Sequence, residues 1–155
     1  MRIKLNINGK DYESDVEPRT LLVDFIRDVA GLKGTHVGCE TGSCGACMVL
    51  LDGMPVKSCL MLAAQAEGKK IVTVEGLSEG NRLNPVQKSL SEKKALQCGF
   101  CAAGFSVMGT WILENEHTVD YERVKSDLAG VVCRCSGYEP VINAIMEAAK
   151  NERKN

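Results

Sequence analysis

Eight cysteines in 155 residues constrain this chain more than any other feature. The opening MRIKLNING alternates apolar and polar residues and does not form the apolar core of an export signal, so the expected compartment is the cytoplasm and the thiols are expected to stay reduced. A disulfide framework is then the weaker reading and metal the stronger. The cysteines fall into two groups of four, Cys39, Cys44, Cys47, Cys59 and Cys98, Cys101, Cys133, Cys135. A chain this short, whether one domain or two small ones, has little apolar core to spare and gains from such support.

The first group has four residues, then two, then eleven between successive cysteines. That C-x4-C-x2-C…C order resembles the plant-type ferredoxin pattern. The glycines of Gly38-Cys39-Glu40-Thr41-Gly42-Ser43-Cys44-Gly45-Ala46-Cys47 suit a loop that wraps a cluster and aims backbone N–H groups at its anionic sulfurs. The second group is two short pairs, Cys98-Gly99-Phe100-Cys101 and Cys133-Arg134-Cys135, with 31 residues between them. Each pair precedes a helical run, Ala102 to Leu113 and Pro140 to Ala149. Positive helix N-termini there would lower thiolate pKa and give a pseudo-twofold site.

Four cysteines also suit structural zinc, which competes more strongly for the second group than for the first. Zinc sites come as compact pairs, whereas three cysteines of the first group crowd one glycine loop. Free buried cysteines are a further alternative, poorly matched to this spacing.

Along the chain, Ile3, Leu5 and Ile7 alternate, Asn8-Gly9 marks a hairpin, and a second strand runs through Val16. Thr20 is placed to cap a helix carrying Leu21, Leu22, Phe25, Ile26 and Val29, with Gly31 past its end. Strands over Ala46 to Leu51 and Val56 to Cys59 flank the Asp52-Gly53 turn, and a short helix leads to a strand from Lys70 to Val74. This order predicts an α+β chain that begins with a β-grasp domain. Beyond Glu75 to Asn84 the pattern turns helical, with helices after Asn84-Pro85, from Ala102, from Asp120 with Tyr121, Val124 and Leu128 on one face, and after Tyr138-Glu139-Pro140. The expected division is residues 1–76 and 77–155. The polar tail from Lys150 to Asn155 is expected to fray.

Other classes are excluded or weak. A net charge of −1, 5% aromatic residues and no basic block argue against nucleic acid. The apolar stretches break before the roughly 18 residues of a membrane span. His36 and His117 read as loop histidines, His36 with the added option of tuning a neighbouring cluster. Trp111 reads as helical core, Gly42-x-x-Gly45 as cluster wrapping, and Arg134 either as a partner of an anionic cluster or as a solvated side chain.

GCETGSCGACMVLLDG with SCLMLA, then QCGFCAAG, then CRCSGY before a helix, resemble the small iron–sulfur subunit of the molybdenum hydroxylases, the group of xanthine dehydrogenase, aldehyde oxidoreductase and carbon monoxide dehydrogenase. The resemblance covers nearly the whole chain. It implies a plant-type ferredoxin-like domain followed by a four-helix domain, each with a 2Fe-2S cluster. Cys39, Cys44, Cys47 and Cys59 would hold the cluster nearer FAD. Cys98, Cys101, Cys133 and Cys135 would hold the cluster nearer molybdenum, with Gln97 and Cys135 against the pterin of the molybdenum cofactor. That cofactor and FAD would belong to a large and a medium partner subunit in a heterotrimer or a dimer of heterotrimers. The function implied is relay of electrons from molybdenum through two clusters to FAD, without a catalytic residue in this chain. Two departures spare every ligand: Ala102-Ala103 stands where the family often has Thr-Pro, and Ser136 where it has Thr. EPRTLLVDFIR and DGMPVKSC are most like the carbon monoxide dehydrogenase and archaeal glyceraldehyde oxidoreductase subunits. The alternatives are a free ferredoxin-like carrier or redox sensor, and a two-site zinc protein.

Overall fold

The computed structural model describes residues 1–115 and 119–152. The expectation for His117 and for the last three residues of the tail lies outside them.

Strands β1 (Arg2–Ile7) and β2 (Lys10–Asp15) form the opening hairpin, turned by Asn8 and Gly9 at φ 53° and 77°. Both residues have positive φ, as a tight hairpin turn matching strand twist demands. Strands β3 (Met48–Leu51), β4 (Met54–Lys57) and β5 (Lys70–Val72) complete a sheet of order β2-β1-β5-β3-β4, with β1 and β5 parallel and every other pair antiparallel. Period-two alternation buries Ile3, Leu5 and Ile7 against Leu22, Phe25 and Ile26 of the crossing helix. This helix, α1, spans Leu22–Asp24 and continues as a π turn over Phe25–Val29.

Thr20 does not cap α1. Its carbonyl accepts from Ala63 N at 2.8 Å, Leu22 N donates to Met61 O at 2.8 Å, and Leu21 bridges Leu62. Extended pairing with residues 61–63 therefore takes up backbone groups that a side-chain cap would otherwise serve. Gly31 does lie past the helix end, at φ 73°. β5 stops two residues short of Val74 because Thr73 N leaves the ladder to donate to the Asn8 side chain at 2.9 Å.

The second half contains α2 (Pro85–Glu92), α3 (Ala102–Asn115), α4 (Tyr121–Asp127) and α5 (Glu139–Glu152). Asn84 caps α2 by accepting from Gln87 N, with Gln87 reaching back to Asn84 N, and Asp120 caps α4 through Arg123 N. α5 extends to Glu152, so the tail is helical further than its polarity suggests. α3 is buried nearly all round, as the central helix of a bundle must be. Its Phe105, fully buried, contributes about 2–3 kcal/mol by transfer from water.

The halves share a strand. Val49 faces the core of the sheet domain, while Met48 and Leu50 belong to the core of the helices. Alternation along one strand thus joins two cores and brings the two cysteine groups together.

Candidate metal centres

The first centre is built by a loop and a hairpin. Gly42 and Gly45 sit at φ 76° and 71°, where a side chain is strained, and they fold residues 39–47 so that backbone N–H groups turn inward. Thr41 N and Cys44 N donate to Cys39 Sγ at 3.4 and 3.3 Å. The β3–β4 register pairs Met48 with Lys57. Just past that pair, Ser58 N and Oγ both donate to the Cys47 carbonyl, at 3.3 and 2.7 Å. The eleven-residue gap is therefore one hairpin, whose closing end sets Cys59 beside Cys47. Lys57 Nζ ties the assembly to Gly42 O at 2.5 Å.

The second centre is built by helix junctions. Cys101 immediately precedes α3 and its carbonyl accepts from Phe105 N, whereas residues 136–138 separate Cys135 from α5. The expected twofold symmetry of helix ends is therefore incomplete. Ser136 N donates to Cys133 Sγ at 3.4 Å from a turn and not from a helix terminus. Tyr138, at φ 71°, accepts from Cys133 N on its hydroxyl at 3.1 Å and sets its ring edge-on to Phe105. Sequence reasoning used Tyr138 only as part of a motif. Its role follows from a left-handed backbone that no local pattern announces.

Electrostatics divide the cysteines. The Thr41 hydroxyl and the two loop N–H groups hold the Cys39 thiol down to about 6. Burial, with Cys47 adjacent, pushes Cys59 up to about 11. Burial and neighbouring Cys133 push Cys101 up to about 12. For Cys133 burial acts upward, but the Ser136 hydroxyl and N–H prevail and bring it to about 7. The Phe100 N–H lowers Cys98, and Cys98 in turn raises Cys135. Buried thiols such as Cys59 and Cys101 ionise readily only against a bound cation, which deprotonates a coordinating thiol outright.

Among the described residues no three His, Cys, Asp or Glu side chains are arranged to hold a metal ion. The sulfurs stand instead as neighbouring pairs: Cys98 with Cys135 at 3.6 Å, Cys101 with Cys133, Cys47 with Cys59, and Cys39 with Cys44. Four soft donors in two pairs fit a two-iron cluster, in which each iron takes two thiolates, better than they fit a lone tetrahedral zinc.

The centres meet at a glycine seam. A Cβ on Gly45 would lie 2.3 Å from Gly130 O, and one on Gly104 would lie 2.5 Å from Gly45 O. Val132 N donates to the Cys44 carbonyl at 2.8 Å, so a residue adjoining Cys133 is hydrogen-bonded to a cysteine of the first group. Gln97 Nε2 donates to Cys135 O at 3.1 Å, which joins the two residues expected at the pterin. Arg134 is exposed, and Trp111 packs against the helical core. His36 stacks on Phe100 with ring centroids 4.8 Å apart.

Residues 5–77 match the 2Fe-2S iron-sulfur cluster binding domain family and residues 73–146 the 2Fe-2S binding domain family. The chain is 46% identical over 148 residues to the 6-hydroxypseudooxynicotine dehydrogenase complex subunit beta of Paenarthrobacter nicotinovorans, covering 95% of this chain and 92% of that protein. It is 39% identical to the xanthine dehydrogenase iron-sulfur-binding subunit of Escherichia coli O157:H7, covering 97% and 95%. Quinoline 2-oxidoreductase from Pseudomonas putida 86 superposes with a TM-score of 0.94 at 48% identity, over 100% of this chain and 97% of the matched one.

Proposed function

The chain belongs to the small iron–sulfur subunits of the molybdenum hydroxylases, and on that premise we propose that Cys39, Cys44, Cys47 and Cys59 hold one 2Fe-2S cluster and Cys98, Cys101, Cys133 and Cys135 the other. The subunit is the non-catalytic electron-transfer component of an oxidoreductase complex. When bound, the clusters supply one-electron steps, so that the electron pair released by a substrate oxidation leaves singly. Family membership favours this reading over a free carrier or a zinc protein.

The chain's own residues hold and insulate those groups. Loop N–H groups at Cys39, Cys98 and Cys133 stabilise charge on sulfur, while burial of Cys47, Cys59 and Cys101 excludes water from one side of each centre. The observation that carries the relay is the 2.8 Å hydrogen bond from Val132 N to Cys44 O, which leaves one amide contact between the two groups of cysteines.

Two faces are assigned to partners. Gln97, Cys98 and Cys135 are exposed together and would meet the pterin of the molybdenum cofactor on a large subunit. The side of the first centre near exposed Leu60 would meet a medium subunit carrying FAD. A heterotrimer or a dimer of heterotrimers and a cytoplasmic location complete the proposal, with residues 1–76 and 77–155 as its cluster domains. No helix among the described residues is long and apolar enough to cross a membrane.

Metal analysis tests the assignment. The purified complex should yield about four iron and about four acid-labile sulfide for this subunit, with two separable paramagnetic signals on reduction. A colourless subunit that still takes up only zinc after anaerobic reconstitution refutes it.

A further inference from the structure

Between the two centres stands an aromatic pair that cysteine spacing does not call for. His36 lies on the loop leading to Cys39, and its N–H donates to Ala46 O at 3.3 Å. Its Nδ1 lies 2.8 Å from the carbonyl oxygen of Phe100, and the two rings stack at an interplanar angle of 22°. A carbonyl only accepts, so Nδ1 carries the proton and donates. Phe100 belongs to the other centre, between Cys98 and Cys101. A Cβ on Gly38 would stand 3.2 Å from Phe100 Cε1 and 3.0 Å from Cys44 Sγ, so ring and sulfur share the room that Gly38 leaves. Phe100 is nevertheless 48% exposed, so no apolar core holds it there.

We propose that His36 and Phe100 form a latch, a pair of positioning residues that fixes the Cys98–Cys101 loop against the first centre and covers the Cys44 side of it. The proposal rests on the assignment of the cysteines as cluster ligands. Its physical content is local. The Cys98–Cys101 loop turns through Gly99 at φ 81° and would otherwise be fixed chiefly by α3 and by the Gln97 contact. With its carbonyl taken by His36, Phe100 is held at a fixed point between Cys98 and Cys101. Hydrogen bonding to the sulfurs and solvent exposure set a cluster's potential, so a loop released from His36 shifts the potential of the second centre.

The test uses the intact complex with both clusters, comparing His36→Ala, His36→Asn, His36→Phe and Phe100→Leu. Asparagine returns an N–H donor near the Nδ1 position without a ring, and phenylalanine returns the ring without the donor. His36→Ala should keep its iron and sulfide, shift the midpoint potential of the centre that Cys133→Ser removes, and slow electron passage between centres. His36→Asn should recover the potential and His36→Phe should not. Phe100→Leu should keep the potential, because the backbone carbonyl remains, yet slow passage between centres. An unaltered potential in His36→Ala, or equal recovery by asparagine and phenylalanine, overturns the latch. If His36→Ala does not assemble, the asparagine and phenylalanine variants decide by the same criterion. A wild-type complex without two 2Fe-2S signals instead refutes the ligand assignment on which the latch rests.

Discussion

The two proposed centres reach the same donor set by opposite routes. In the first, three cysteines share a nine-residue loop and the fourth arrives by a single hairpin, so local chain geometry does nearly all of the placing. In the second, two pairs separated by 31 residues meet only because α3 and the segment before α5 pack against a common core. The first buries Cys47 and Cys59 and leaves Cys39 and Cys44 half-buried, whereas the second buries Cys101, half-buries Cys133 and leaves Cys98 and Cys135 exposed. A locally encoded site can be closed within its own domain. A site assembled from distant segments lies where those segments meet, at the surface, and presents itself to a partner.

The hardest way to break the comparison is to remove one ligand from each. Cys59→Ser should abolish one paramagnetic signal of the reduced complex and Cys133→Ser the other, each variant losing about half the subunit's iron. If either substitution removes both signals from a folded protein, the division of ligands is wrong.

The next largest effect should come from the seam. Gly45→Ala forces a Cβ to within 2.3 Å of Gly130 O at a φ of 71°. Left-handed backbone costs about 1–2 kcal/mol and overpacking about 1–3 kcal/mol more. The unfolding temperature of the complex should fall accordingly, and both signals should broaden together because this glycine of the first loop packs on Gly130 and Val131 beside the second group. A variant as stable as the wild type would show that the seam opens without cost.

The contrast also explains what was legible in advance. The hairpin at Asn8-Gly9, the cysteine loop, and the helix starts at Asn84 and Asp120 were readable because each depends on neighbours within a few residues. The expected Thr20 cap failed for a non-local reason, since residues 61–63 pair with the backbone there. The strand expected over Ala46 to Leu51 was read within the first domain, yet its alternation serves two cores, and apolar sequence alone does not say which neighbour each face meets. At the second centre the cysteines were legible. The left-handed Tyr138 and its bond from Cys133 N were not, because they follow from how the loop closes on Phe105.

A smaller and sharper probe acts on the contact between the centres. Val132→Pro removes the N–H that Cys44 O accepts while leaving every cysteine in place. Val131, at φ −118° and ψ 121°, already has the extended backbone that precedes proline. The lost bond should cost about 1 kcal/mol of stability. Iron content and both signals should persist, and electron passage from one centre to the other should slow. Unchanged passage would mean that electrons cross elsewhere along the seam.

The smallest effect is expected at the exposed edge of the second centre. Gln97 makes one hydrogen bond, from Nε2 to Cys135 O at 3.1 Å, and is otherwise open to solvent. Removing it in Gln97→Ala should change the stability of the subunit by about 0.5–1 kcal/mol at most, because solvent reaches the freed carbonyl. Neither cluster should be lost. The consequence should lie across the interface, since the proposed function sets this side chain, fixed to the Cys135 carbonyl, against a pterin held by another chain. Reduction of the second centre by substrate should therefore slow while its reduction by dithionite does not. Equal slowing with both reductants would place Gln97 among the supports of the cluster, and no slowing with either would remove it from the contact with molybdenum, leaving Cys135 alone on that edge.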